Sequence, residues 1–308
     1  MINKLMKIPL LKKMYILFTY LCAVIPDAVY IKMIYRMRTG KKLDLNNPTT
    51  FNEKLQWLKL YDRHEEYSEM VDKYQVREYI KNKIPDGEQY LIPLLGVYND
   101  ARDIDLDKLP NEFVVKCTHD SGSVVLCRDK REFTDKIRKS INTALKRKFY
   151  YANREVAYRN ATPRIIVEAL LREESGEGLI DYKFYCFHGE PKFLYVSAGL
   201  EDHATARISF YNMDFSEAAF QRSDFKHFDK IPKIPKRFSE MVQIARILSE
   251  NIPFVRIDLY ETDGKVYFSE ITFSPCGGMM PFEPKEYDAV LGQYIDLRKV
   301  ESQQKVIE

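Results

Sequence analysis

The sequence predicts an α+β protein, with helices leading and mixed strands following. Three observations carry this. Before about residue 100, apolar residues recur at a 3.6-residue period, as at Phe51, Leu55, Leu58 and Tyr61. From about 113 the chain turns to short runs of β-branched and aromatic residues separated by polar turns. Near the end, two such runs flank Asp263-Gly264, a hairpin signal.

The composition is that of an ordinary globular chain. Of 308 residues, 45% are hydrophobic and 30% charged, which excludes a disordered, collagenous or disulfide-built protein. A net charge of +3 gives no global field for nucleic acid. The five cysteines (Cys22, Cys117, Cys127, Cys186, Cys276) form no CxxC pair, so neither a zinc site nor a disulfide framework is indicated. A reducing cytoplasm is the expected location.

The charge is unevenly spread. Residues 1–42 hold nine Lys or Arg and one acid, Asp27, a balance of +8 against −5 for the remainder. Within them Met14 to Ile25 is an apolar stretch too short to span a bilayer. Pro26-Asp27 follows in place of a small-residue cleavage site. Two readings stand: a helix packed on the body, or an interfacial helix on an anionic membrane surface, peripheral to its inner face.

The elements follow in order. Pro48 and a capping Thr49 or Thr50 start the helix at 51–61. A second helix is expected over about 68–83, ending before Pro85, and a strand over 90–98. Strands are expected at 113–117 and 124–127, a basic helix at 131–149, and a buried strand at 165–171. Strands at 183–187 and 192–196 flank a turn at 188–191. A helix at 237–250 precedes the final hairpin strands at 255–260 and 265–271.

That hairpin carries the first candidate chemistry. Arg256 and Asp258 share one face of their strand, and Glu270 and Thr272 share one face of theirs. If the two faces coincide, a cation, two carboxylates and a hydroxyl converge. Such oxygen donors suit Mg²⁺, which keeps coordination sites for substrate phosphates; the alternative is two solvent-facing acids. A two-residue turn would put Asp258 and Glu270 on opposite faces. A three-residue loop, 262–264 with Gly264 at positive φ, is therefore expected. Upstream, Lys116 precedes the small-residue loop His119, Asp120, Ser121, Gly122, Ser123, whose amides and hydroxyls could cradle phosphate, or which is a plain turn. Glu168 is an acid inside an apolar strand, where an unpaired carboxylate is costly. It could accept a bond from an adenine amino group, with the Leu170 backbone reading the ring, or it could face water.

Taken in order, Val115-Lys116 with its loop, Val167-Glu168-Ala169-Leu170, Arg256-Ile257-Asp258 and Glu270-Ile271-Thr272 resemble the ATP-grasp superfamily, in the pattern of the D-alanine–D-alanine ligases. Ser274 to Met279 looks like that pattern's Pro-Gly-Met turn, and Thr272 stands where an Asn is usual. The run Thr50 to Arg63, then Asp72 to Tyr79 and Asp181-Tyr182-Lys183-Phe184, is similar to the TupA-like ATP-grasp family, over about 30–297. The resemblance implies an ATP-grasp fold whose two α+β subdomains clamp ATP with Mg²⁺. It implies that Lys73 is the first phosphate lysine, that Asp181 lies near the ribose, that Lys183 approaches the triphosphate, and that Arg207 is a further phosphate or substrate cation. On it the chain divides into a basic segment 1–42, a helical region 43–110, a small subdomain 111–170, a large subdomain 171–300 and a tail 301–308.

The function implied is an ATP- and Mg-dependent carboxylate–amine ligase acting through an acyl phosphate, with Arg256 stabilising the oxyanion. The partners implied are a glycan or peptide-type carboxylate and an amine or amino acid, in cell-surface polysaccharide or teichuronopeptide-type synthesis. Two other readings remain: a sugar-nucleotide glycosyltransferase using paired acids, or a non-catalytic nucleotide-binding module. For the former, Asp103-Ile104-Asp105 has the DxD form but is badly placed.

Overall fold

The structure is a computed structural model, and it describes residues 9–172, 179–200 and 205–300. Two antiparallel sheets organise it. The smaller runs β1-β4-β2-β3, with β1 Leu94–Tyr98, β2 Phe113–Cys117, β3 Val124–Cys127 and β4 Ile165–Ala169. The larger runs β10-β9-β5-β6-β7, with β5 Asp181–Phe187, β6 Glu190–Ala198, β7 Arg207–Asn212, β9 Phe254–Thr262 and β10 Lys265–Thr272. A two-stranded ribbon pairs β8 Gln221–Arg222 with β11 Phe282–Glu283. Because β1 pairs with β4, the small subdomain starts before residue 111.

Each sheet buries an alternating face. On the large sheet Phe184, Cys186, Ile257, Leu259 and Ile271 pack against Met241, Ile244, Ala245 and Leu248 of the helix Phe238–Ser249. The other face is aromatic at one end, where Tyr185, Phe187 and Phe254 surround Phe51. A separate core of Phe113, Val115, Ile141 and Val167 joins the small sheet to the helix Asp135–Leu145.

Among the described residues seven α-helices precede the helix at 238–249 and are labelled in order. They are α1 Pro9–Leu21, α2 Asp27–Thr39, α3 Phe51–Tyr61, α4 Glu66–Val71, α5 Val76–Lys83, α6 Asp135–Leu145 and α7 Tyr150–Asn153. The helix expected over 68–83 is broken because Asp72, fully buried, turns its carboxylate onto the amides of Tyr74 and Gln75. That Asx cap ends α4 and starts α5. The helix expected over 131–149 is shorter, α6 alone, preceded by a 3-10 turn at Lys130–Glu132, with α7 following beyond residue 149. On α1, Leu17 and Leu21 are exposed while Tyr15 and Phe18 are half-buried, so the segment is not wholly packed inside the body. Among the described residues, no helix is long and apolar enough to cross a membrane.

The final hairpin departs from the expected loop. Thr262 pairs with Lys265, so Asp263 and Gly264 form a two-residue turn, both at positive φ. Gly264 at positive φ is as expected; the three-residue loop is not. The faces are brought together by a β-bulge at Ser269 instead: Phe268 pairs with Leu259, yet Glu270 pairs with Asp258 and Thr272 with Arg256. One extra residue in β10 does what a longer loop would have done.

Helix α3 is capped by Thr50, whose hydroxyl accepts from the Glu53 amide at 3.3 Å while the Glu53 carboxylate takes the Thr50 amide at 3.1 Å. Its polar residues at 52, 56 and 59 grip the turn after β10. Asn52 pairs with both backbone groups of Met280, at 2.9 and 2.7 Å. Gln56 donates to the carbonyls of Gly277 and Gly278, and Lys59 to that of Gly277. Gly278 stands at φ +70, and a Cβ there would meet the Gln56 amide at 2.5 Å, so the close approach requires glycine. Replacing Asn52 by Ala leaves two buried backbone groups of Met280 unpaired. Unfolding in urea should show Asn52→Ala less stable by about 1–3 kcal/mol; an unchanged midpoint would show that the grip contributes nothing.

Candidate active site

The residues singled out in the final hairpin meet in one row across the large sheet. Lys183 of β5 lies opposite Asp258 of β9, which lies opposite Glu270 of β10. The next row is Tyr185, Arg256, Thr272. Arg256 binds this corner together: its guanidinium donates to both Asp258 oxygens at 2.7 and 2.6 Å, to Glu270 at 2.7 Å and to the Thr272 hydroxyl at 3.1 Å. The Lys183 ammonium sits 3.0 Å from Asp258 and 3.1 Å from Asp181.

Facing this row is the small sheet, and between them opens a cavity of about 280 Å³. Lys73, Lys116, Ser121, Gly122, Lys183, Asp258 and Glu270 line it together with Val114, Leu126, Ala169, Leu170 and Leu179. The cavity therefore offers both charged and apolar walls, as a polyphosphate joined to a flat base requires. Lys73 lies in the Asp72–Gln75 turn, where its amide donates to the Thr118 carbonyl and its ammonium to that of Asp120, so it reaches the 118–123 loop. Gly122, at φ +95, gives that loop its left-handed bend.

Other expected residues stand elsewhere. Glu168 is buried and does not line the cavity; Lys116 takes one of its oxygens at 2.8 Å and Arg77 the other at 3.2 Å. It is placed to orient Lys116. His119 is buried, its Nε2 against the Arg147 carbonyl at 2.9 Å, and does not line the cavity. Ser123 is held inside its loop, accepting from the Cys117 amide and donating to the Asp120 carboxylate. Asp181 stands one position behind the cavity wall, bonded to Lys183 and to the Ser197 hydroxyl. Arg207 begins β7, the edge strand farthest from β10, and donates to the carbonyls of Thr205 and Ala206; it is not brought to the cavity. Asp103 and Asp105 lie in short turns beside the small sheet and do not line the cavity either.

Sequence reasoning missed Arg77 and a second cavity. Only three-dimensional pairing reveals Arg77, since it is ninety-one residues from Glu168. The second cavity is lined by Lys59, Asp62, Tyr67, Glu155, Tyr158, Phe273 and Ser274, and thus begins one residue past Thr272. Burial pulls the Lys59 ammonium down to about 8 against the opposing pull of Glu155.

The charges of the site are set by one another. Burial raises Asp258, while Arg256 and Lys183 act against it. Burial alone would also raise Glu270, but Arg256, with Lys73 and Lys183, carries it down to about 2. The donor set fits a hard divalent cation: Glu270 and Asp258 present carboxylates at the cavity, leaving the remaining positions of such an ion for phosphate oxygens. Thr272 does not line the cavity; its hydroxyl accepts from Arg256 and donates to Glu270. Among the described residues no group of three or more His, Cys, Asp or Glu forms a metal cluster.

The profile of the TupA-like ATP-grasp family matches residues 53–296. The chain belongs to that family. By class, this TupA-like ATP-grasp protein is an ATP-dependent ligase. It is similar to the structure of D-alanine–D-alanine ligase from Bacillus anthracis complexed with ATP, at 13% identity over 85% of this chain and 73% of that one, with a TM-score of 0.46. It is similar to D-alanine–D-alanine ligase from Helicobacter pylori at 17% identity, over 81% and 70% of the two chains, with a TM-score of 0.42. The ATP-grasp ligase PsnB complexed with minimal precursor, Mg and ADP is 12% identical, over 72% and 57%, with a TM-score of 0.37. No curated protein matches the chain.

The depressed Glu270 value has a measurable consequence. A group lowered on folding contributes stability that is complete above its ordinary value, 4.5, and is lost as pH falls through about 2. Wild-type stability should fall across that window, and Glu270→Gln should fall less. Urea titrations over a pH series check this; parallel curves would mean that Arg256 and the lysines do not hold the carboxylate.

Proposed function

We propose that the protein is a carboxylate–amine ligase that uses ATP and Mg²⁺ and works through an acyl phosphate. One observation carries the reading: three lysines from three separate segments, Lys73, Lys116 and Lys183, line a single cavity with Asp258 and Glu270. A polyanion neutralised by several cations and a shared metal is the arrangement phosphoryl transfer needs. The apolar walls, Leu170 among them, take the base.

The roles follow from position. Lys73 and Lys116 hold the β- and γ-phosphates from the small-sheet side, with Glu168 and Arg77 fixing Lys116. Asp258 and Glu270 would hold Mg²⁺, which neutralises charge as the bond to the γ-phosphorus forms. A substrate carboxylate oxygen attacks that phosphorus and ADP departs, giving an acyl phosphate. An amine then attacks the acyl carbon; the C–N bond forms, the amine loses a proton and inorganic phosphate leaves. Arg256, adjoining Glu270 on the row beyond, is placed to stabilise the tetrahedral oxyanion. Family likeness supports a glycan or peptide-type acceptor in cell-surface polysaccharide or teichuronopeptide-type synthesis.

Two measurements test this. Mg·ATP should raise the melting temperature and UDP-sugars should not; Lys73→Ala and Lys116→Ala should each weaken ATP binding about tenfold or more, because each removes a charge-assisted contact. Stabilisation by UDP-sugars alone would replace the ligase with a glycosyltransferase. With amino acids and uronic-acid glycans screened for ADP release, Arg256→Lys should retain ATP binding and lower turnover by about 10²–10³. ATP binding without ADP release across the whole screen would favour a non-catalytic module.

A further inference from the structure

The exposed face of α1 is unlike the rest of the surface. Met14, Leu17 and Leu21 are 58%, 60% and 69% exposed, and Val24, in the helical turn that follows, is 90% exposed. Their spacing of three, four and three residues puts them on one stripe. Helix α2 presents a second exposed face, with Val29 at 56% and with Lys32 and Arg36 three and seven residues on.

The stripe is not awaiting burial by a roll of the helix, because the opposite side is fastened. Tyr20 packs on Tyr151 at 5.4 Å and its hydroxyl accepts from the Lys148 amide at 2.8 Å. Arg154, almost wholly buried, donates to the Cys22 carbonyl at 2.7 Å, pairs with Asp27 and lies over the Tyr30 ring at 4.2 Å. Turning α1 inward would break the contacts of Tyr20 and of the Cys22 carbonyl.

We propose that this segment docks the enzyme on an anionic membrane surface, α1 lying in the plane of the interface with Met14, Leu17, Leu21 and Val24 inserted. A helix of 13 residues cannot cross a bilayer but can lie in its surface. Charge selects the occupant. Residues 1–42 carry +8 and the remainder −5, so an anionic surface attracts this segment and turns the rest of the molecule outward. A second copy meeting the same face about a twofold axis would set +8 against +8. The inference does not depend on the ligase reading.

The test uses the full-length protein in sedimentation with vesicles of phosphatidylglycerol and phosphatidylcholine, and with phosphatidylcholine alone. Binding should favour the anionic vesicles and weaken as salt rises to about 0.5 M. Leu17→Glu with Leu21→Glu should lower it about tenfold or more, since both apolar side chains lose their transfer energy. Lys32→Glu with Arg36→Glu should lower binding to anionic vesicles selectively. All four side chains face solvent, so the melting temperature and the shift given by Mg·ATP should match wild type. Absence of vesicle binding, equal binding to both lipids at all salt concentrations, or a Leu17→Glu, Leu21→Glu variant that binds like wild type would overturn the proposal. So would a concentration-dependent dimer, seen by ultracentrifugation and abolished by that variant, since a second copy would then cover the stripe.

Discussion

Asp258 is the residue around which the large sheet is arranged. It is fully buried, and a carboxylate there is tolerable only if both oxygens are met by cations. Arg256 supplies two bonds from the same strand, and Lys183 one from the neighbouring strand. Lys183 stands opposite Asp258 only in one register of β5 against β9, so the ion cluster and the strand pairing specify each other. Glu270 is added by the bulge at Ser269, which moves it to the same face without disturbing the turn. Removing either cation would leave an uncompensated buried charge.

A second constraint ties the site to the helical region. The turn from Pro275 to Gly278 contains three successive left-handed residues, Cys276, Gly277 and Gly278. Such a backbone persists where its surroundings hold it. Helix α3 provides the hold through Asn52, Gln56 and Lys59, while Phe51 and Leu55 anchor the same helix in the aromatic core. The run Phe51-Asn52-Glu53-Lys54-Leu55-Gln56 therefore has a mechanical meaning: its apolar members fix the helix and its polar members fix the turn beyond Thr272.

The parts legible in the sequence were those encoded by local pattern. The α+β order, the capped helix at 51–61, the hairpin at 263–264 and the charged residues of β9 and β10 all follow from periodicity and turn chemistry. What local pattern lacks is pairing. A bulge leaves no mark in residue type, so Asp258 and Glu270 were matched through a loop that the chain does not use. Glu168 was an acid in an apolar strand with no visible partner, yet Lys116 and Arg77 bind both its oxygens. His119 sits in the correct loop but turns into the core beside Arg147, and Arg207 begins a strand at the wrong edge of the sheet. Asp72 ended a helix that periodicity alone would continue.

The distribution of charge across the cavity bears on how the two sheets cooperate. Lys73 and Lys116 stand on one side, tied to the 118–123 loop and to Glu168, whereas Asp258, Glu270, Lys183 and Arg256 stand on the other as a nearly balanced cluster. The first side carries cations toward the gap, and the second offers few unpaired cations of its own. A polyanion entering the gap would be attracted chiefly to Lys73 and Lys116, and a divalent ion chiefly to Glu270, the carboxylate with the greatest exposure to the gap. Neither side alone can neutralise a metal–triphosphate, since each lacks what the other presents. On the proposed reading nucleotide and metal together bridge the sheets, and the affinity for each should rise in the presence of the other.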